Sequence, residues 1–445
     1  MKITTVTRAT LGLATAVGLA VGLGTSPATA QPAPTYAVTN LGTLGGDSFA
    51  LDINLRGQIT GTCRAAAGHE QAFVYSRGVM TPLGTLGGAY SFAYAINQVG
   101  DVAGDAETAD GLQHAYLWRG GAMTDLGTLG GGPSQANGIN SQGQVVGWAY
   151  LASGTYHAFL SQNGAITDIG ASFDGRSIAT DIDELGRVVG YYDAPGGSRP
   201  FRWAAGVISD LGTLGGTAGG ANKINLFGET AGWSSYADNK ARPVIFRGGA
   251  IIDLGTLGGN DGSAWGINDL GRTVGYSLTG DKRWHALLHR RGVLYDLNDL
   301  IPANAGVELI AATAIDDLGR IVGFGCFGGQ LAGRDCSGGQ LRAVLLTPPF
   351  GQMLQDLIEL LNRLGPRGGR ANSLRATLES ADRCVGRGDA ACLRGPLTAF
   401  AEELQAQAGE ALTEEHARLL AAAVEGLRAT QEYREPEGVP ARERE

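Results

Sequence analysis

Apolar and polar residues alternate in short runs over most of the chain, and turn residues punctuate the runs at even intervals. The stretch from Ser134 shows the pattern. Ser134 to Ile139 leads into Asn140-Ser141-Gln142-Gly143, and Gln144 to Tyr150 and His157 to Ser161 follow. An Asn163-Gly164 turn then opens Ala165 to Asp168. Alternation with a period of two marks half-buried strands, Asn opens the turns, and Gly falls where φ must become positive. Four antiparallel strands are predicted for this unit.

The unit recurs. Leu-Gly-Thr-Leu-Gly-Gly begins at Leu41, Leu83, Leu126, Leu211 and Leu254, with altered copies at Ile169 and Leu297, in steps of 42 or 43 residues. A second motif, Ile-Asn/Asp-x-x-Gly-x-x-x-Gly, starts at Ile53, Ile96, Ile139, Ile182, Ile224, Ile267 and Ile315. A third, His-Ala-Phe or a variant, occupies 71–73, 114–116, 157–159, 199–201, 242–244, 285–287 and 342–344. Three markers agree on seven units. Four strands repeating at this length predict an all-β, seven-bladed β-propeller of four-stranded antiparallel blades. The Leu-Gly-Thr-Leu-Gly-Gly runs then carry the chain from an outer strand to the next inner one.

The seventh unit runs through Arg342-Ala343-Val344-Leu345-Leu346 and stops at Pro348-Pro349, without a fourth strand. Tyr36 to Leu41 aligns with Gly121 to Leu126, the fourth strand of another unit. Residues 36–41 are therefore predicted to pair antiparallel with 342–346 and close the ring with the N-terminal strand, Asn40 meeting Arg342. Closure removes a sheet edge that would otherwise be exposed.

After the two prolines the period becomes helical. Met353, Leu354, Leu357, Ile358, Leu361 and Leu364 form one stripe; Leu374, Leu378 and Ala381 a second; Leu393, Leu397, Phe400 and Leu404 a third. Thr413 reads as the N-cap of a fourth helix through Leu419, Leu420, Val424 and Leu427. A small α-helical bundle is expected over 348–430, with partner binding as an additional role, and a charged, disordered tail over 431–445.

The His114-Ala115-Tyr116 and His157-Ala158-Phe159 triplets and the Leu-Gly-Thr-Leu-Gly-Gly runs resemble the HAF repeats of bacterial extracellular proteins over about 36–347. The helical tail is similar to the FIMAH domain, a module appended to secreted bacterial proteins. These resemblances imply export and a propeller-like array, and transfer no catalytic residues.

Composition narrows the class. Lys2, Arg8, the apolar run from Leu11 and Ala28-Thr29-Ala30 read as a signal peptide over 1–30, cleaved after Ala30. The propeller then spans 31–347. No later run is long and apolar enough for a membrane span. A formal charge of −9, more negative still without the leader, argues against nucleic acid as a partner. Seventy-two glycines beside 43% hydrophobic residues describe tight turns rather than disorder.

Two sets of repeated residues invite a chemical reading. A basic or potentially basic residue precedes an Asp by eleven positions in His114/Asp125, His157/Asp168, Arg199/Asp210, Arg242/Asp253 and His285/Asp296. These are expected to be structural cross-strand pairs, directly opposite if the hairpin turn has two residues. His69 and His289 fall outside the set and are expected at the surface. The second set is aromatic: Trp148, Tyr191, Trp233, Tyr276 and Phe324 follow the last Gly of the second motif, whereas the first two units carry Thr62 and Asp105. These rings either wedge between blades or, at Trp148, Tyr191, Trp233 and Tyr276, form platforms for stacking sugars.

Asp101 with Asp105, Asp181 with Asp183, and Asp316 with Asp317 could serve glycoside chemistry, or simply sit at turns and strand ends. No calcium or phosphate loop is present, and no metal site or cofactor is expected. Exported cysteines should pair. Cys326 with Cys336 and Cys384 with Cys392 are predicted, with Cys63–Cys326 as the alternative. The expectation is a secreted, non-enzymatic binding or scaffolding protein whose partner is an extracellular glycan, a cell-envelope component or another protein. The alternative is an extracellular glycosidase or polysaccharide lyase with acids at the channel mouth.

Overall fold

The computed structural model describes residues 35–333, 335–365, 369–410 and 412–432. The expected leader over 1–30 and the part of the expected tail from residue 433 lie outside the described residues. Seven four-stranded antiparallel sheets follow one another at 45–82, 87–127, 130–168, 177–210, 219–253, 258–296 and 307–347, the last completed by 37–40. The architecture is the seven-bladed β-propeller with a helical region of four helices. The seventh blade also carries a short hairpin, Gln330–Ala332 against Asp335–Ser337.

The ring closes as the repeat phase requires. Ala37 faces Thr347, Val38 faces Leu346, Thr39 faces Leu345 and Asn40 faces Val344. The Leu41 amide donates to the Ala343 carbonyl at 3.0 Å, and Tyr36 donates to Leu300 at 2.9 Å. One detail differs. Asn40 accepts from the Gly42 amide at 2.9 Å, while Arg342 donates to the Gly46 carbonyl at 3.0 Å with Asp47 3.7 Å away. The Asn40 oxygen is taken by the Gly42 amide, and Arg342 finds its acceptors in the Gly46 carbonyl and the Gln340 side chain instead.

Each repeated motif has a physical task. A Cβ at the last Gly of the second motif would fall on the inner-strand carbonyl oxygen, of Phe49 at Gly61 and of Phe92 at Gly104, so no larger residue fits. A serine on the inner strand stitches its blade to the preceding one, accepting from an amide of that blade's third strand. The amides of Ala72, Ala115, Ala158 and Ala343 donate to the hydroxyls of Ser91, Ser134, Ser177 and Ser48 at 2.9–3.0 Å. Where the third strand carries Pro200 or Pro243 there is no N–H to satisfy. The serine is then replaced by Gly219 or Gly262, and the absent Cβ leaves room for the proline ring.

The Asn of the second motif builds a belt around the axis. Asn54, Asn97, Asn140, Asn225 and Asn268 each donate a side-chain N–H to a carbonyl of the next blade at 2.9–3.1 Å. Asp183 and Asp316 cannot donate. There an arginine four residues on, held by that aspartate, takes over: Arg187 reaches the Leu226 carbonyl and Arg320 the Leu55 carbonyl, both at 2.7 Å. Arg187→Ala is expected to cost about 1–3 kcal/mol, because Asp183 then stays buried without its partner. Asp183→Asn with Arg187→Gln recreates the Asn-x-x-x-Gln pattern of Asn54 and Gln58 and should recover most of that loss. Chemical denaturation of the two variants compares them directly.

The helices are α1 (Phe350–Leu364), α2 (Gly369–Gly386), α3 (Arg394–Gln407) and α4 (Glu414–Glu432). Thr413 caps α4, its hydroxyl accepting from the His416 amide at 3.1 Å. Gln431 and Glu432 complete α4 rather than starting the tail. The apolar stripes form one core that also takes in Leu55 and Leu318, from the turns of blades one and seven, with Leu226 and Leu270 packed beside it. Inner strands run from the Leu-Gly-Thr-Leu-Gly-Gly loops to the Ile-Asn turns, which defines a loop face and a turn face. The helices cover the turn face. A buried ion pair joins Arg272 of blade six to Asp356 of α1 through both guanidinium nitrogens. Asn268 already makes the belt bond, so Arg272 is free for this second task. Arg363–Glu229 at 2.9 Å and Arg56–Glu425 at 2.6 Å add to the junction. A Cβ at Gly426 would strike the Leu55 carbonyl, so α4 lies directly on the blade-one turn.

Disulfides join Cys326 to Cys336 and Cys384 to Cys392. Cys63 is buried and free, its sulfur accepting from the Leu44 amide at 3.0 Å, so the Cys63–Cys326 alternative is not formed.

Candidate functional site

The basic–acidic pairs lie at the hairpins between third and fourth strands. His114–Asp125 at 2.8 Å, His157–Asp168 at 2.9 Å, Arg199–Asp210 at 3.0 Å and His285–Asp296 at 2.5 Å are in contact. They are diagonal neighbours rather than directly opposite. The two-residue turn at Asn163-Gly164, with positive φ at both residues, sets Asp168 across from Phe159, two positions beyond His157. The other oxygen of each aspartate accepts an amide two residues on, as Asp125 does from Gly127 at 2.7 Å. Blade five departs from the expectation: Asp253 accepts from the Tyr236 hydroxyl at 2.9 Å, and Arg242 turns to Thr256 at 3.2 Å. His285 also meets Glu308 at 3.0 Å; Asp296 and Glu308 raise its pKa although burial opposes them. His289, expected at the surface, is half-buried, and burial lowers its pKa.

The aromatic residues sit in successive blades and are not gathered at one place. Trp148 packs on Tyr156 at 5.3 Å and Tyr150 at 5.9 Å, while Arg176 of the next blade lies 5.7 Å from the Tyr156 ring. Tyr276 stands between Trp265 at 4.7 Å and Trp284 at 4.8 Å. Trp233 occupies the space left open by Gly220, and Tyr191 is half-buried with its hydroxyl pKa raised by that burial. Phe324 meets Phe49 of the neighbouring blade at 5.1 Å. These contacts are packing contacts.

Two cavities depart from the repeat. The axial chamber, about 140 Å³, lies toward the turn face, where Leu419 of α4 joins its lining. Within it Lys223 of blade five reaches Asp52 of blade one at 3.3 Å and Asp181 of blade four at 3.4 Å, a tie across the axis that the sequence did not reveal. The two carboxylates keep the ammonium charged, against the effect of burial. The acids at the mouth serve the frame. Glu184 accepts from the Ser141 amide at 3.0 Å, Asp269 from Leu226 at 2.8 Å and Asp317 from Asp269 at 2.7 Å. Burial pushes Asp269 up to about 6 and Asp317 well above the usual carboxylate range. Asp101 is held by Arg119 at 2.7 Å.

The second cavity, about 350 Å³, lies at the seam between blades one and two on the loop face. Arg64, His69 and Glu70 line it from blade one; Tyr90, Phe92 and Gln113 line it from blade two. Tyr90 and Phe92 meet edge to face at 5.7 Å, and Arg64 stands 3.6 Å from Glu70. Thr62, two residues before Arg64, and Asp105, opposite Phe92, are buried, and Tyr94 and Gln113 are the polar side chains beside the Asp105 carboxyl. Burial pushes the Asp105 carboxyl up to about 7, with Tyr94 and Gln113 opposing it. The native state then keeps a proton that the unfolded chain has lost, so stability falls as pH rises from about 4 to 7. Asp105→Asn should flatten melting temperature against pH between about 4 and 7, the range over which wild type loses stability through this group. Scanning calorimetry across that range gives the comparison.

No protein-family description matches the chain, and no curated protein matches it. Among solved structures, the chain is similar to TolB from Acinetobacter baumannii (14% identity, TM-score 0.38, covering 56% of this chain and 62% of that one). It therefore spans less than two thirds of that protein. It is also similar to the β-propeller domain of the Trilobed protease from Pyrococcus furiosus (8% identity, TM-score 0.43, 68% and 94% covered). A third is the six-bladed fungal lectin of Aleuria aurantia (14% identity, TM-score 0.31, 70% and 90% covered).

Proposed function

We propose that the chain is a secreted, non-enzymatic binding or scaffolding protein that meets an extracellular carbohydrate, cell-envelope polymer or protein through its loop face. The observation that carries this reading is the covering of the turn face by the helical region, which leaves the opposite rim open. The mouth where a glycosidase or lyase would place its acids lies under α4, and those acids are occupied as acceptors for the frame. The two disulfides suit an oxidising compartment, the leader read over 1–30 suits export, and the seven phased units suit the HAF-like resemblance. Among the described residues no helix is long and apolar enough to cross a membrane. The test is a screen of the mature protein against glycans, peptidoglycan and whole envelopes, followed by product analysis. Binding without turnover is expected; release of reducing ends or unsaturated sugars would establish the enzymatic rival.

A further inference from the structure

We infer that the pocket between blades one and two is a saccharide subsite that takes one neutral pyranose ring of an extracellular polysaccharide. The inference rests on the binding reading above and adds a place and a ligand class.

The seam is unlike the others at one register position. Five blades fill that position with an aromatic ring, from Trp148 to Phe324, whereas blades one and two carry Thr62 and Asp105. In blades one and two the ring stands on the paired inner strand instead, as Phe49 opposite Thr62 and Phe92 opposite Asp105, and a cavity lined by Phe92 opens in the second case. The exchange keeps a ring at the seam and leaves a buried carboxyl, Asp105, directly across from it. The Tyr116 hydroxyl, in the apolar cluster of the same seam, is a buried group with no partner, at a position where blades one and three carry Phe73 and Phe159.

The walls match the two chemistries of a sugar. Tyr90 and Phe92 offer aromatic surface for the C–H face of a pyranose, and Arg64, Glu70, His69 and Gln113 offer donors and acceptors for its hydroxyls. At about 350 Å³ the pocket lies at the small end of ligand sites and suits a single ring. Charge sets the class. Glu70 already answers Arg64, and Glu107 acts on Tyr90 from the same side, so a uronate or sugar phosphate would meet carboxylates.

Calorimetric titration of the mature protein with neutral oligosaccharides (glucans, galactans, mannans and chitooligosaccharides) and with oligouronates tests this. Tyr90→Ala and Arg64→Ala should each weaken binding of the neutral ligand about tenfold or more while leaving the melting temperature nearly unchanged. Trp148→Ala should lower the melting temperature and leave affinity intact. Binding that survives both seam substitutions overturns the subsite and leaves the binding reading standing. Seam-dependent binding of oligouronates alone overturns the ligand class. If no glycan binds, the subsite falls, and the envelope screen alone decides the broader reading.

Discussion

A chain beginning at Leu41 is expected to lose cooperative unfolding and to aggregate, whereas one beginning at Thr35 should unfold in a single transition. The difference is residues 35–40, which supply the outer strand of blade seven. Without it, Gln340–Thr347 presents a row of unpaired backbone groups on a long apolar strand, the edge that closed sheets avoid. Tyr36 is buried in the cluster joining blades six and seven, and the Val38 side chain packs beside it. Losing both removes apolar burial worth roughly 3–5 kcal/mol, before any backbone hydrogen bond is counted. Blade seven also contacts blade one, so the damage falls on the seam that closes the ring. Calorimetry with light scattering separates the outcomes. Equal stability of the two chains would show that the ring does not depend on its N-terminal strand.

Asp356→Ala should release the helical region from the turn face at a cost of about 3–5 kcal/mol, because Arg272 then remains buried with its main partner gone. Arg272 and Asp356 are almost fully enclosed; Gln352 donates to the same carboxylate at 2.7 Å, and Glu359 stands 3.6 Å from Arg272. Removing one charge is the damaging step, whereas replacing both by apolar residues is far better tolerated. Arg272→Met with Asp356→Leu should therefore recover most of the loss. Limited proteolysis reads the junction: the single variant should be cut within the released helices at a protease concentration that leaves wild type and the double variant intact. Equal resistance of all three would show that the pair does not hold the junction.

The blades and the closure were legible because phase survives in the sequence. The shortfall of one strand at Pro348-Pro349 and the spare strand at Tyr36 are local facts that point at each other. The belt was not read from the sequence: Arg187 and Arg320 follow Asp at a fixed distance, but Arg272 follows Asn at the same one, and only the structure shows which of them reaches the next blade. The hairpin register was off by two residues because the His157/Asp168 pair is not centred on the Asn163-Gly164 turn: Asp168 faces Phe159, and His157 reaches it diagonally. Tyr236 displaced Arg242 from Asp253 through a contact that no repeat position announces. The axial tie was hidden for a different reason. Lys223, Asp52 and Asp181 meet only because closing the ring brings blades one, four and five to one axis. Leu55 and Leu318 looked like turn residues until the helices covered them. The seam pocket had a visible signal in Thr62 and Asp105, two exceptions in a column of aromatic residues, but their neighbours across the seam come from the fold.

Amide hydrogen exchange of the mature protein, with and without the best-binding ligand of the screen, tests most directly that the loop face at the first seam is where this protein works. The account predicts slowed exchange in residues 64–72 and 87–94, with the Ile-Asn turns and α4 unchanged. Slowed exchange confined to those turns and α4, with the seam unaffected, would contradict it.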